Sequence, residues 1–332
     1  MPMSSSWFCL HSSENETDLT HATLSLDNRG LAYGDGFFTT MGVIDGQILW
    51  LDYHHQRLIS HQKALQLDLN SHSLITALTT HAQRLQQGIL KLIVVRAAQA
   101  VRGYGYTSSA SGSACDVWLK SSAMVVTTDE QLCLPDGRLI PIQPVNRAIC
   151  LSAQIACLPP PLAGLKSLNR LDTVLASAEL QRIKSHLLPS DSSSSHTPAQ
   201  PSIEEGLLRD MSGCWIEGTM SNVFYQLADT PVPKPQSLES KNIIDTVQED
   251  SNYLMTGQWY TPSLTQSGVA GVMRQVIIDA LSNTAYPVII RPLQDNDLPH
   301  LRRLFFCNAL RGIMPMANLT LLNDEVVRLQ IV

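Results

Sequence analysis

The stretch FFTTMGVIDGQILWL, residues 37–51, constrains the fold more than any other part of the chain. Two apolar runs flank Asp45-Gly46, a dipeptide favoured where a tight turn needs positive φ, so the pattern predicts a hairpin of Phe37–Val43 against Gln47–Leu51 that opens the fold. Alternate residues of a strand share a face, so Phe38 and Thr40 point together and Thr39 points away.

Helical spacing follows. Leu58, Ile59 and Leu65, with Asp52 as cap, predict a helix over 52–67, and a second one covers 70–87. Ile89–Val95 reads as a buried strand, the Gly- and Ser-rich QAVRGYGYTSSASGSA as a loop, and 116–127 as another strand. A composition shift over 128–138 marks the domain boundary, giving a small α+β domain at 1–127 and a larger α/β domain at 128–332. In the latter, Ala148–Leu151 is a short strand and 169–188 a helix with Leu171, Val174, Leu175 and Ala178 on its apolar face. A hairpin over 209–219 turns at Ser212-Gly213, and strands are expected at 222–227, 288–291 and 304–307, with a helix at 271–281. The polar, serine-rich 189–202 reads as a disordered insertion and 230–261 as a second irregular one.

At 332 residues and 44% hydrophobic content the chain can bury a large core. Its net charge of -6 comes from 23 basic and 29 acidic residues without long runs, which excludes the usual nucleic-acid footprint. Seven scattered cysteines with no CxxC pair argue against a disulfide framework or a zinc knuckle and for free thiols in a reducing cytoplasm. No apolar run is long enough to span a membrane, and the first residues lack a signal-peptide pattern. The chain has no GxGxxG, P-loop, GxSxG or HExxH motif, and its histidines are not at ligand spacing, so no metal site is expected.

Lys166 stands apart, just after a Pro/Gly turn and just before the 169–188 helix, in LAGLKSLNRLDTVL. Together with YGDGFFTT (33–40), HHQRL (54–58), WIEGTMSNVF (215–224), GVAGVMRQ (268–275) and FFCNAL (305–310), this segment resembles the fold-type IV pyridoxal-phosphate enzymes. That group holds branched-chain and D-amino-acid aminotransferases and aminodeoxychorismate lyases. The resemblance implies a smaller N-terminal α/β sandwich, a larger C-terminal pseudobarrel, pyridoxal 5'-phosphate as cofactor and a homodimer.

The resemblance also implies roles. Lys166 would carry the cofactor on its amine and then move a proton. Glu217 would face the pyridine nitrogen, and Arg57 would pair with the phosphate. The backbone N–H groups of Val272 and Met273, at a helix start, would complete the phosphate cup; Arg274 is given no ligand role. Thr40 becomes the pocket threonine, acting beside the lysine or the leaving group. Tyr33, Phe38, Arg102 and Asn308 would meet the substrate, Arg102 through a carboxylate. Ala309 offers no hydroxyl where relatives often place a threonine against the phosphate.

Within the group, KSLNRL and RGYGY resemble the lyase pattern: Leu171 stands where branched-chain aminotransferases carry a tyrosine, with Asn169 as substitute donor to the cofactor. The implied reaction converts 4-amino-4-deoxychorismate to 4-aminobenzoate and pyruvate, with amino-acid transamination as the alternative.

Overall fold

A computed structural model describes residues 5–11, 24–126, 130–187, 202–228 and 253–331. The chain forms two compact units, one of residues up to 127 with 158–171, the other of 128–157 with everything from 172. The expected serine-rich insertion lies, except for Ser202, outside the described residues, as do residues 229–252 of the second irregular stretch.

The first unit holds strand β1 (Ser5–His11), helix α1 (Arg29–Tyr33), β2 (Gly36–Ile44), β3 (Gln47–Ile48), α2 (Leu51–Leu65), α3 (Ser71–Leu85), β4 (Gly88–Arg96) and β5 (Cys115–Ala123). Its sheet runs β1-β5-β4-β2-β3, antiparallel throughout. The expected hairpin is β2–β3: Val43 pairs with Ile48, while Asp45 (φ 51°) and Gly46 (φ 72°) make the turn. It does not open the fold, because β1 precedes it at the sheet edge.

Period-2 burial explains the layering. Phe37, Met41, Leu90, Leu92, Val94, Val117 and Leu119 line one face and pack with Leu58 of α2 and Leu74, Leu78 and Ala82 of α3. Helix α3 is capped by Asn70, whose side chain accepts from Ser73 N–H. Asp52 does not cap α2; Trp50 does so in a left-handed conformation, and Asp52 lies in the first turn, where its charge still suits the helix dipole.

The second unit contains β6 (Gln131–Cys133), β7 (Leu139–Pro141), β8 (Asn146–Ile155), α4 (Leu171–Leu187, its first residue shared with the first unit), β9 (Ile203–Asp210), β10 (Trp215–Gly218), β11 (Asn222–Leu227), β12 (Tyr260–Thr261), α5 (Val272–Leu281), β13 (Ile289–Ile290), β14 (Leu301–Asn308), β15 (Gly312–Thr320) and β16 (Val326–Arg328). The path β10-β9-β8-β15-β14-β11 returns to β10 through the pair Glu217–Asn222, so six strands close on themselves as a pseudobarrel. Trp215, Val223, Tyr225, Phe306, Met314 and Met316 share its core.

Three further expectations do not hold. The apolar row on α4 is not buried: Leu171, Val174 and Leu175 are 78%, 58% and 67% exposed, and Ala176 and Leu180 pack instead against Leu151, Ile155 and Leu208. Residues 253–261 are not an insertion, since Trp259 is fully buried and Tyr260 pairs with Tyr225. The short strand at 148–151 is a ten-residue strand, β8, because both its neighbours run parallel to it and extend its ladder.

Candidate active site

In the first unit, Lys166 gains a defined place by pairing with β2. Phe38 N–H donates to Lys166 C=O at 3.0 Å, Leu168 N–H donates to Gly36 C=O at 3.0 Å, and Ser167 bridges Phe37 antiparallel. The Lys166 N–H donates to His61 Nε2 on α2 at 2.9 Å. Its Nζ lies 4.5 Å from the centroid of the Phe38 ring, which also carries Lys91 Nζ at 5.2 Å. Thr40 pairs with Lys91 across β2–β4, so Phe38, Thr40 and Lys91 belong to one sheet face.

Thr39 points the other way, into the helix layer. It is fully buried, accepts from Arg57 Nη1 at 3.2 Å and bonds His54 Nδ1 at 3.0 Å. Arg57 is buried too, which lowers its guanidinium to about 10. Burial, reinforced by the Arg57 charge, pushes His54 down to about 3, so its ring is neutral. The other ring nitrogen, Nε2, is a buried atom with no hydrogen-bond partner among the described residues.

Asn169 Nδ2 donates to Gly34 C=O at 3.4 Å, next to α1. At the end of that helix Tyr33 lies 5.1 Å from the Tyr104 ring, in the loop that also carries the exposed Arg102. Arg29 ties this loop down, donating to the carbonyls of Gly103, Tyr104 and Gly105.

In the second unit, Glu217 is 4% exposed, and its Oε2 accepts from Val269 N–H at 2.8 Å and Asn222 Nδ2 at 3.4 Å. Helix α5 begins at Val272 and Met273 behind Gly271, and no side chain caps it. Arg274 donates to Thr261 Oγ1 and Pro262 C=O, a structural role. The Asn308 side chain accepts from the N–H groups of Leu310 and Arg311 and donates to Met220 C=O at 3.4 Å, so it shapes the turn that includes Ala309.

Sequence reasoning missed Thr39, His54, His61 and Lys91. Spacing offered a signal for two of them: His54 and His61 fall three residues before and four after Arg57, one helical face.

The family described as Amino-transferase class IV matches residues 36–186 and 199–319. Among solved structures, 4-amino-4-deoxychorismate lyase from Pseudomonas aeruginosa is similar at 28% identity and TM-score 0.65, over 92% of this chain and 90% of that one. A putative branched-chain-amino-acid aminotransferase of Methanocaldococcus jannaschii is 24% identical over 90% of this chain and 83% of its own length. An aminodeoxychorismate lyase of Vibrio harveyi is 22% identical over 93% of this chain and 92% of its own. The chain belongs to the class IV aminotransferase family, enzymes of fold type IV that use pyridoxal 5'-phosphate.

Proposed function

We propose that this enzyme converts 4-amino-4-deoxychorismate to 4-aminobenzoate and pyruvate, with the cofactor held on Lys166. Each unit supplies groups whose chemistry suits the cofactor: in the first, an amine on a pinned backbone and a buried guanidinium at Arg57; in the second, a helix start without a side-chain cap and a buried carboxylate at Glu217. The observation that carries the lyase reading is LKSLNRL, with Leu171 in place of the aminotransferase tyrosine; the 28% identity to the Pseudomonas lyase supports it.

When bound, the cofactor supplies an electron sink for the carbanion that forms at the substrate carbon. Glu217 holds a proton at the ring nitrogen. Arg57 and the N–H groups of Val272 and Met273 bind the phosphate, and Asn169 donates to the cofactor. Lys166 removes the proton from substrate C4. The C3–O bond breaks, the ring becomes aromatic, and the leaving enol takes up a proton at carbon to become pyruvate. Arg102 binds one substrate carboxylate and Lys91 suits the other; Thr40 acts beside the lysine, while Tyr33, Phe38 and Asn308 form walls. The reaction would feed folate synthesis in the cytoplasm. The exposed row Leu171, Val174, Leu175 and Ala178 suits a second copy of the chain, as a homodimer would require.

The test couples the purified protein to an aminodeoxychorismate synthase with chorismate and glutamine and measures 4-aminobenzoate. Lys166→Ala is expected to abolish it. Amino-acid-dependent conversion of 2-oxoglutarate or pyruvate without 4-aminobenzoate would instead establish transamination, the reading favoured by the Methanocaldococcus relative.

A further inference from the structure

We infer that His61 is a positioning residue for Lys166, its imidazole fixing the backbone from which the reactive amine extends; the inference rests on the reading of Lys166 given above. The His61 ring is 3% exposed and meets Phe37 edge-on at 5.1 Å. Its Nδ1 lies 3.1 Å from Ser60 Oγ, and Ser60 in turn donates its hydroxyl hydrogen to Arg57 C=O at 3.0 Å. With that hydrogen committed, Ser60 Oγ can only accept from the ring, so the proton of His61 resides on Nδ1. The Nε2 lone pair is then directed at the Lys166 N–H, 2.9 Å away.

The result is one line of hydrogen bonds from the Lys166 amide through His61 and Ser60 to the Arg57 carbonyl. It couples the backbones of the residues proposed to hold the two ends of the cofactor. Both main-chain groups of Lys166 are thereby held, the N–H by α2 and the C=O by Phe38 of β2. Only side-chain torsions remain to aim the amine, and a small misplacement of a reacting group costs rate steeply. Burial, with the Arg57 and Lys166 charges adding, pushes the ring down to about 3, so the acceptor persists at neutral pH. Protonation would place a second donor opposite the amide.

The experiment compares His61→Phe, which keeps the ring and its packing, with His61→Gln, whose amide oxygen can accept. In the cofactor-free protein, hydrogen exchange of the Lys166 amide is expected to speed up about tenfold in His61→Phe and to return toward wild type in His61→Gln. With the cofactor added, kcat is expected to fall about tenfold in His61→Phe at nearly constant KM and to recover in His61→Gln. Ring 15N shifts of the wild-type protein at pH 6 should show a neutral imidazole with its proton on Nδ1; this measurement and His61→Gln carry the test if His61→Phe does not fold. A proton on Nε2, or unchanged Lys166 exchange in His61→Phe beside normal borohydride trapping of the cofactor on Lys166, overturns the proposal alone. Failure to trap any adduct on wild-type Lys166 overturns the functional reading and the proposal with it.

Discussion

Arg57 Nη1 donates to Thr39 Oγ1 across 3.2 Å, tying a buried guanidinium on α2 to the central part of β2. The same hydroxyl serves His54, so one small side chain satisfies two buried partners. Thr39→Val keeps the shape and removes both bonds. It is expected to destabilise the protein by about 1–3 kcal/mol, the cost of stranding buried polar groups, and to weaken cofactor binding through a loosened Arg57. Thr40→Val should change stability by less than about 0.5 kcal/mol, since Thr40 is only half-buried. Denaturant midpoints and cofactor titrations of the two variants make the comparison.

Asp35 Oδ2 is shared by Arg29 Nε at 2.8 Å and Arg96 Nε at 2.9 Å, both guanidinium groups being buried. Arg29 also grips the loop that carries Arg102, so the carboxylate indirectly fixes that loop. Asp35→Asn leaves two cations without their counter-charge and should cost about 3 kcal/mol. Faster protease cleavage within 100–108, with KM rising more than kcat falls, is the expected outcome. An unchanged cleavage pattern would refute the clamp.

Glu217 receives two hydrogen bonds at Oε2 in a buried setting. Glu217→Gln preserves volume but removes the charge proposed to keep the ring nitrogen protonated. The variant should fold and bind cofactor, and kcat should fall on the order of a hundredfold or more. Near-normal turnover would rule out the assigned role.

Gly271 precedes the first turn of α5, and a Cβ there would lie 1.8 Å from Asn222 Oδ1. Asn222 cannot simply swing away, because its Nδ2 holds Val269 C=O at 2.9 Å. Gly271→Ala is therefore expected to shift the α5 start and the loop before it. A lower thermal midpoint together with weaker inorganic phosphate binding would mark both effects.

Stability should also depend on pH through His54 and His61, whose rings sit near 3 in the folded chain because of burial. Unfolded, each titrates at about 6.5, so between these values the unfolded state binds more protons. Stability is thus complete above pH of about 6.5 and falls on acidification by about 1.4 kcal/mol per pH unit for each ring, levelling off below about 3. Urea titrations between pH 7 and 5 should show this slope, and His61→Phe should remove about half of it.

Local chemistry made much of the chain legible. Asp45-Gly46, the second helix of the first unit, the Ser212-Gly213 turn and the 222–227 strand depend on neighbours in sequence, whose φ/ψ preferences and short hydrogen bonds are local. Lys166, Arg57 and Glu217 were singled out by the residues around them, and alternation along β2 separated Thr39 from Thr40. Partner-dependent features were not legible. Only tertiary packing decided that the Thr39 face lies under α2, that α4 buries Ala176 and Leu180 rather than its apolar row, and that Glu217 pairs with Asn222 to close six strands. The bond from His61 to Lys166 spans 105 positions. Which residues meet at such separations depends on loop closure and on which apolar faces bury together, and neither is written in any short stretch of sequence.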